Sequence, residues 1–202
     1  MTTNDGSLEG VVESFNRDGA LVRIGRETGV ISARSFKKEH LRKQDAVKVR
    51  RAGEREGQLH LSLVELLRPT WWTFGETFLA GEGADPKLVA EFAPKLAEDI
   101  ASRGMSPNAL RNFYDAVKSI DAPILQAGTR ALKTAAFNRQ LPLIKLLSAK
   151  AAHKSRENPQ FFNDFLNRGV QVSESLREFQ GFVLVFEAVT GWHTKYAKQG
   201  GN

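Results

Sequence analysis

The chain has 202 residues, 41% of them hydrophobic, which is enough for one medium domain or two small ones and too apolar for wholesale disorder. Its 29 basic against 23 acidic residues leave a net charge of +6, and the isoelectric point near 9.7 favours an anionic partner: RNA, DNA, a membrane surface or an acidic protein. The lack of cysteine excludes disulfides and thiolate metal sites, no apolar run approaches the ~18 residues of a membrane span, and the polar start MTTNDGSLEG is no signal peptide, so the expectation is a cytoplasmic chain with no membrane partner.

The first 68 residues read as strands. EGVVESF, GALVRIG, GVISA, DAVKVRRA and GQLHLSL are short, rich in β-branched residues and separated by glycine-bearing turns. Five strands in about sixty residues predict a small closed barrel, because so short a sheet must protect its edges. Through Gly10, Val12, Phe15, Gly19, Ala20, Val22, Ile24, Gly29, Asp45, Val47, Val49, Gly57 and the ending LHLSL, residues 8 to 67 resemble the OB-fold RNA-binding domain of ribosomal S-one-type repeats, with cold-shock domains as cousins. That resemblance implies a nucleic-acid or partner face carrying Phe15, Arg17, Lys37, Lys38, Arg42 and Lys43. Phe15 is either exposed on that face or part of the core, and the five cations either touch phosphates or belong to a solvated loop. Leu21 and Ser32 stand where the family usually carries a stacking aromatic and often a histidine. Their loss removes platforms worth ~1–3 kcal/mol per base.

Residues 69–84 read as a linker, within the junction RPTWWTFGETFLAGEGADP, and from there the rhythm is helical. Trp71 and Trp72 either stack on bases or plug a junction or a partner's groove. Asp85 and Pro86 predict a helix start over a segment running to 103, kinked or broken near Pro94, in which Glu98 and Asp99 read as a solvated face. Ser106 and Pro107 predict the next helix, with a stripe of Leu110, Phe113, Tyr114, Val117 and Ile120. Pro142 predicts a helix opening there and running to about Lys154, with Arg139 outside it. Asn158–Pro159 predicts another, and the last follows Ser173 with the stripe Leu176, Phe179, Phe182, Val183, Phe186 and Val189. The fold class expected is therefore two domains: a small all-β OB-fold barrel over 1–68, then an all-α bundle over 85–202.

One stretch of the helical half is segregated in charge. Between Asp121 and Glu157 there is no acidic residue, while Arg130, Lys133, Arg139, Lys145, Lys150, Lys154 and Arg156 all fall there. Such a run suits a polyanion or is a solvated basic face. Chemistry-bearing motifs are lacking: no GK[ST] phosphate loop, no HExxH, no GxSxG, and His40, His60, His153 and His193 are dispersed without carboxylates at ligand spacing. No catalytic residue, metal or cofactor is expected.

Three blocks carry a second resemblance. MSPNALRNFYDAVKSI, PLIKLLSAKAAHKSREN and FQGFVLVFEAVTGWHTKY occur in the order and spacing of the small helical subunit of Csm-type (type III-A) CRISPR interference complexes, over about residues 85 to 197. Ser106, Leu110, Arg111, Phe113 and Tyr114 fit the first block, with Ala109 in place of a glutamine. Leu146, Leu147, Lys150 and Arg156 fit the second, with His153 where a tyrosine is common, and Phe182, Phe186, Glu187, Ala188, His193 and Lys195 fit the third. The barrel is not part of the usual small subunit, so the chain resembles a fusion. The resemblance implies a non-catalytic RNA-binding subunit whose partners are guide RNA, target RNA, the backbone and large subunits of the complex, and neighbouring copies of itself. It implies sequence-blind phosphate contacts from Arg111, Arg130, Lys133, Arg139, Lys145, Lys150, Lys154 and Arg156. The alternative readings are a free-standing RNA chaperone or ribosome-associated factor that binds through the OB-fold, and a nuclease whose site is assembled from distant residues.

Overall fold

In the computed structural model, which describes residues 6–35, 41–72, 74–154 and 157–199, the chain folds as two compact units, residues 1–72 and 73–202. In the first, β1 (Leu8–Phe15), β2 (Gly19–Ile24), β3 (Glu27–Ser32), β4 (Ala46–Arg55) and β5 (Gln58–Leu66) close into a barrel of order β1-β2-β3-β5-β4. β3 and β5 run parallel and every other pair is antiparallel, which gives the closed barrel anticipated from the strands, consistent with the OB-like fold that the resemblance implied. Val12, Ala20, Val22, Ile31, Val47 and Val49 have no exposure and form the barrel core. β4 and β5 meet in a two-residue turn, Glu56–Gly57, with φ of 54° and 74°. Positive φ at both positions matches the twist of a tight hairpin.

The second unit starts with a small hairpin, β6 (Leu79–Ala80) and β7 (Gly83–Ala84), packed on the last helix. Part of the expected linker is thus structured. Phe78 is fully buried among Phe74, Phe165 and Phe182, and Glu178 accepts hydrogen bonds from the Phe78 N–H (3.1 Å) and the Thr77 hydroxyl. Asp85 Oδ1 accepts from the Lys87 N–H at 2.9 Å, and the chain then turns helical. The predicted break near Pro94 takes the form of a π-helical turn at Leu88–Phe92 ahead of α1 (Ala93–Ser102), with the Ala93 N–H bonded to the Leu88 carbonyl. A proline ring cannot share space with the carbonyl four residues back and brings no N–H, and a widened turn accommodates both defects. Asp99 is not on a solvated face: it is 7% exposed and paired with Arg103 at 2.7 Å, and the guanidinium sits 5.3 Å over the Phe161 ring.

The remaining helices are α2 (Pro107–Gln126), α3 (Arg130–His153), α4 (Gln160–Val172) and α5 (Leu176–Gln199). Ser106 caps α2 as expected, its side chain accepting from the Ala109 N–H. The helix expected from Pro142 starts twelve residues earlier, at Arg130, where Thr129 Oγ1 accepts from the Leu132 N–H at 3.3 Å. Pro142 lies inside it, and Arg139 therefore belongs to the same helix as Lys150. An internal proline removes one backbone hydrogen bond. The helix persists because residues on both sides of it are buried, Ala136 and Phe137 before it and Ile144, Leu147 and Ala151 after it, with α3 packed on α2 and α4.

The core of this unit is a cluster of phenylalanines around Phe165, whose ring lies 5.6 Å from both Phe182 and Phe186 and 6.2 Å from Phe92. Gly169, one turn beyond Phe165 on α4, makes room for it: a Cβ there would overlap the Phe182 ring, which is fully buried and has nowhere to move. Gly169→Ala is expected to destabilise the chain by about 1–3 kcal/mol through overpacking, as read by urea or thermal denaturation. A second expectation concerns His193, 1% exposed, whose Nε2–H donates to the Met105 carbonyl at 3.0 Å. Burial pushes its pKa below the ordinary value near 6.5. The unfolded chain therefore holds this proton more tightly than the folded one, and stability falls as pH drops below about 6.5. Thermal unfolding between pH 7.5 and 5.5 checks this: the decline should be flatter in His193→Gln, and an equal decline would rule the histidine out as its source.

Candidate nucleic-acid interface

Five cations of the acid-free run, Arg130, Lys133, Arg139, Lys145 and Lys150, lie on one continuous helix, with Lys154 at its C-cap. At ~1.5 Å per residue, the 24 residues of α3 extend about 36 Å. α2 and α3 form an antiparallel hairpin through residues 127–129, as shown by Lys150, near the end of α3, donating from Nζ to the carbonyl of Asn112, near the start of α2, at 3.2 Å. Arg111 is exposed on α2, but it lies two residues, about 200° around the helix axis, from Phe113, whose ring Lys150 approaches, so it does not share that side. Arg139 and Lys150 are eleven residues apart, roughly 20° around the helix axis, and share a side. Lys154 follows at the C-terminal end of α3 and is exposed.

The other cations of the run go elsewhere. Lys145 is over 100° around the axis from Arg139 by the same geometry, and its Nζ donates to the Val170 carbonyl near the end of α4 at 3.2 Å. Arg130 and Lys133 sit in the first turn of α3 and line an open pocket with Arg177 of α5. Arg156, Lys37 and Lys38 lie outside the described residues, as does His40. The described part of the basic run is therefore three groups and not one face: Arg139, Lys150 and Lys154 along one side of α3, Lys145 against α4, and Arg130 with Lys133 at the hairpin turn, while Arg111 stands apart on α2.

Two of these lysines also hold the fold. Lys150 Nζ lies 5.2 Å from the Phe113 ring in addition to its bond to Asn112, and Lys145 bonds a carbonyl of the final turn of α4, whose dipole favours a cation. Each ammonium has three N–H groups, so each keeps donors for a phosphate. The same side of α3 carries apolar surface: Leu132, Leu143 and Leu146 are 54%, 47% and 59% exposed and lie within about 40° of Arg139 around the axis.

Two acids of the unit, Asp121 and Glu187, meet where α2 faces α5. Lys118 lies 3.8 Å from Asp121 and 3.7 Å from Glu187. Burial, then the charge and hydrogen bond of Glu187, push the Tyr114 hydroxyl up to about 12. Burial raises the Asp121 pKa, opposed by Lys118 and reinforced by Glu187. Among the residues that carried the family resemblance, most are structural: Phe113 packs edge-on against Phe162 at 5.0 Å, Tyr114 against Phe186 at 5.8 Å, and His193 is buried.

On the barrel, Phe15 pairs with fully buried Ala20, so it lies on the inner side of the sheet and is half-buried at the rim. Arg17 is exposed in the β1–β2 turn, which Asn16 Oδ1 shapes by accepting from the Asp18 and Gly19 N–H groups. Arg42 is half-buried, its N–H bonded to Asp45 Oδ2 at 2.7 Å, and Lys43 is exposed. Two strand arginines are matched by glutamates: Arg23 with Glu13 at 2.6 Å, and Arg51 with Glu27. Leu21 pairs with Ser14 and Val30 and offers no ring for stacking. Trp71 and Trp72 lie 5.9 Å apart with Arg68 5.6 Å from Trp72. Among the described residues no group of side chains has metal-ligand geometry, and no helix is long and apolar enough to cross a membrane.

Separating the two roles of Lys150 is a matter of measurement. Lys150→Ala is expected to lower the stability of the chain by roughly 0.5–1 kcal/mol through the lost carbonyl bond and ring contact, whereas Arg139→Ala, which has no partner among the described residues, leaves the thermal midpoint unchanged.

Comparison with known proteins gives one match. The family model Csm2 type III-A covers residues 83–199, more than half of the chain. No curated protein and no solved structure matches.

Proposed function

The chain belongs to the Csm2 type III-A family, the small subunits of type III-A CRISPR complexes, and on that premise we propose that its helical unit binds RNA through sequence-independent contacts to the phosphate backbone. The observation that carries this is α3, which sets Arg139, Lys150 and Lys154 along one side of a helix within a stretch, from Asp121 to Glu157, that holds no acidic residue; Arg111 on α2 is an additional candidate contact. Phosphate contacts position a strand without reading it, and in an RNA-guided complex base pairing with the guide supplies the discrimination. The RNA is then guide, target or the duplex of both. In this reading the subunit is structural and non-catalytic, acts in the cytoplasm, and leaves target cleavage to partner subunits.

The exposed leucines of α3 support protein contact along the same helix, with a neighbouring copy or with the backbone and large subunits. An apolar stripe of that size on a basic helix is better suited to a protein partner than to phosphate. The barrel reads as a docking module or an auxiliary contact. Two of its strand arginines, Arg23 and Arg51, are paired with glutamates, and Leu21 and Ser32 stand where the stacking rings of single-strand binding by an OB-fold would be.

A salt-dependent titration of unrelated RNA sequences tests the reading. In Arg111→Gln/Arg139→Gln/Lys154→Gln the log–log slope should fall by up to about 2 units, at ~0.7 per lost phosphate contact to a single strand, with equal weakening for every sequence. An unchanged slope would move the RNA to the barrel and favour the free-standing chaperone.

A further inference from the structure

At the turn of the α2–α3 hairpin the helical unit opens a pocket of about 440 Å³. Its wall is cationic: Arg130 and Lys133 from the first turn of α3, and Arg177 from the first turn of α5, with Gln180 one turn further along and Glu82 of the β6–β7 turn as the single carboxylate. Gly128 leaves the floor open, since a Cβ there would meet nothing within 4 Å.

The placement of these charges runs against the usual preference. The start of a helix is its positive end, where carboxylates stabilise and cations do not. The first turn of α3 nonetheless has no acidic residue and holds two cations. The first-turn carboxylate of α5, Glu178, is committed to the Phe78 N–H and the Thr77 hydroxyl. Among the described residues Arg130, Lys133 and Arg177 have no ion-pair partner, and Glu82 has none either. Three cations and two helix starts therefore face one cavity with little to offset them. Arg177 is also held in place, because its Nη2 donates to the Gly81 carbonyl at 2.8 Å and leaves the rest of the guanidinium's five N–H donors available. A local rule broken without a structural gain is where a functional site is expected.

We propose that this pocket is a phosphate-binding site, in which Arg130, Lys133 and Arg177 grip one phosphate group of an RNA strand. The inference rests on the reading of the chain as an RNA-backbone binder and deepens it by giving that contact an address and a third residue, Arg177, that lies outside the acid-free run. The forked guanidiniums of Arg130 and Arg177 match two phosphate oxygens in a way that an ammonium does not, Lys133 supplies a point charge, and Gln180 can donate its amide. The cavity is wider than one phosphate and open on one side, so the group is either an internal phosphodiester with the strand running on or a terminal monoester.

The test uses the full chain, with Arg177→Gln and Lys133→Gln as separate variants. Thermal unfolding in sodium phosphate, against sodium chloride at equal ionic strength, should raise the wild-type midpoint by about 4 °C at phosphate tenfold above its Kd. Both variants should lose that rise; without phosphate Lys133→Gln should keep, or slightly exceed, the wild-type midpoint, whereas Arg177→Gln, which loses the bond to the Gly81 carbonyl, should sit slightly below it. Titration with 5′-phosphorylated and 5′-hydroxyl oligoribonucleotides of one sequence then separates the sources. Tighter binding of the phosphorylated strand, abolished in Arg177→Gln, assigns the pocket to a strand end. Equal binding of the two strands, with the salt slope in Arg177→Gln reduced by about 0.7, assigns it to an internal phosphodiester. If phosphate stabilises the wild type alone but RNA binding is the same in all three proteins, the RNA assignment is overturned and a small-anion site remains. If wild type and variants respond alike to phosphate as well, the pocket itself is overturned, whereas loss of RNA binding in Arg111→Gln/Arg139→Gln/Lys154→Gln would leave the broader backbone reading standing.

Discussion

The close approach of α4 to α5 at Gly169 is the constraint on which the helical unit depends. The Phe182 ring occupies the space that any larger residue at 169 would need, and from that contact the aromatic cluster builds outward through Phe165 to Phe92, Phe78 and Phe186. Because these rings are large and offset, each buries much apolar area while fixing the angle at which its helix crosses the next. α5 is held by this cluster on one side and by His193 and its Met105 partner at the far end. The hairpin of α2 and α3 packs on that frame, with α2 against α5 and α3 against α4. The pocket at its turn exists because α3 and α5 both start there.

Charge in this unit is sorted by the same geometry. Asp121 and Glu187 meet Lys118 and Tyr114 where α2 faces α5, and α3 carries its cations in a stretch without acids. Sorting of this kind costs some stability through like-charge repulsion, and it leaves one surface able to meet a polyanion without an opposing field. Lys145 and Lys150 show that the sorting is not purely functional. Each ties α3 to a neighbouring helix through a carbonyl, so the basic helix is partly held by the residues that charge it.

The barrel stands as a unit of its own with its own core, and some of the basic residues on its strands are paired. Arg23 and Arg51 meet glutamates across the strands, so two positions that look basic in sequence present paired charge in space. Phe15 likewise looks like a base-stacking ring in sequence and is turned inward by the register of β1 on β2.

Strand alternation, the glycine-bearing turns and the apolar stripes of α2 and α5 determined the two-unit β-then-α architecture from sequence alone, because period-2 and period-3.6 burial are local consequences of backbone geometry. The caps at Asp85 and Ser106 were legible for the same reason. The extent of α3 was not. Pro142 is a strong local stop, and only the burial of residues on both sides of it, against helices distant in sequence, carries the helix through. Nor was the grouping of the cations legible: a run of seven basic residues shows that acids are missing but not which way each side chain points. Arg177 carried no signal at all, since its place beside Arg130 and Lys133 arises when α3 and α5 start at the same corner of the bundle. Local patterns are set by neighbours along the chain, whereas a site is set by which helices share a corner, and long-range packing decides that.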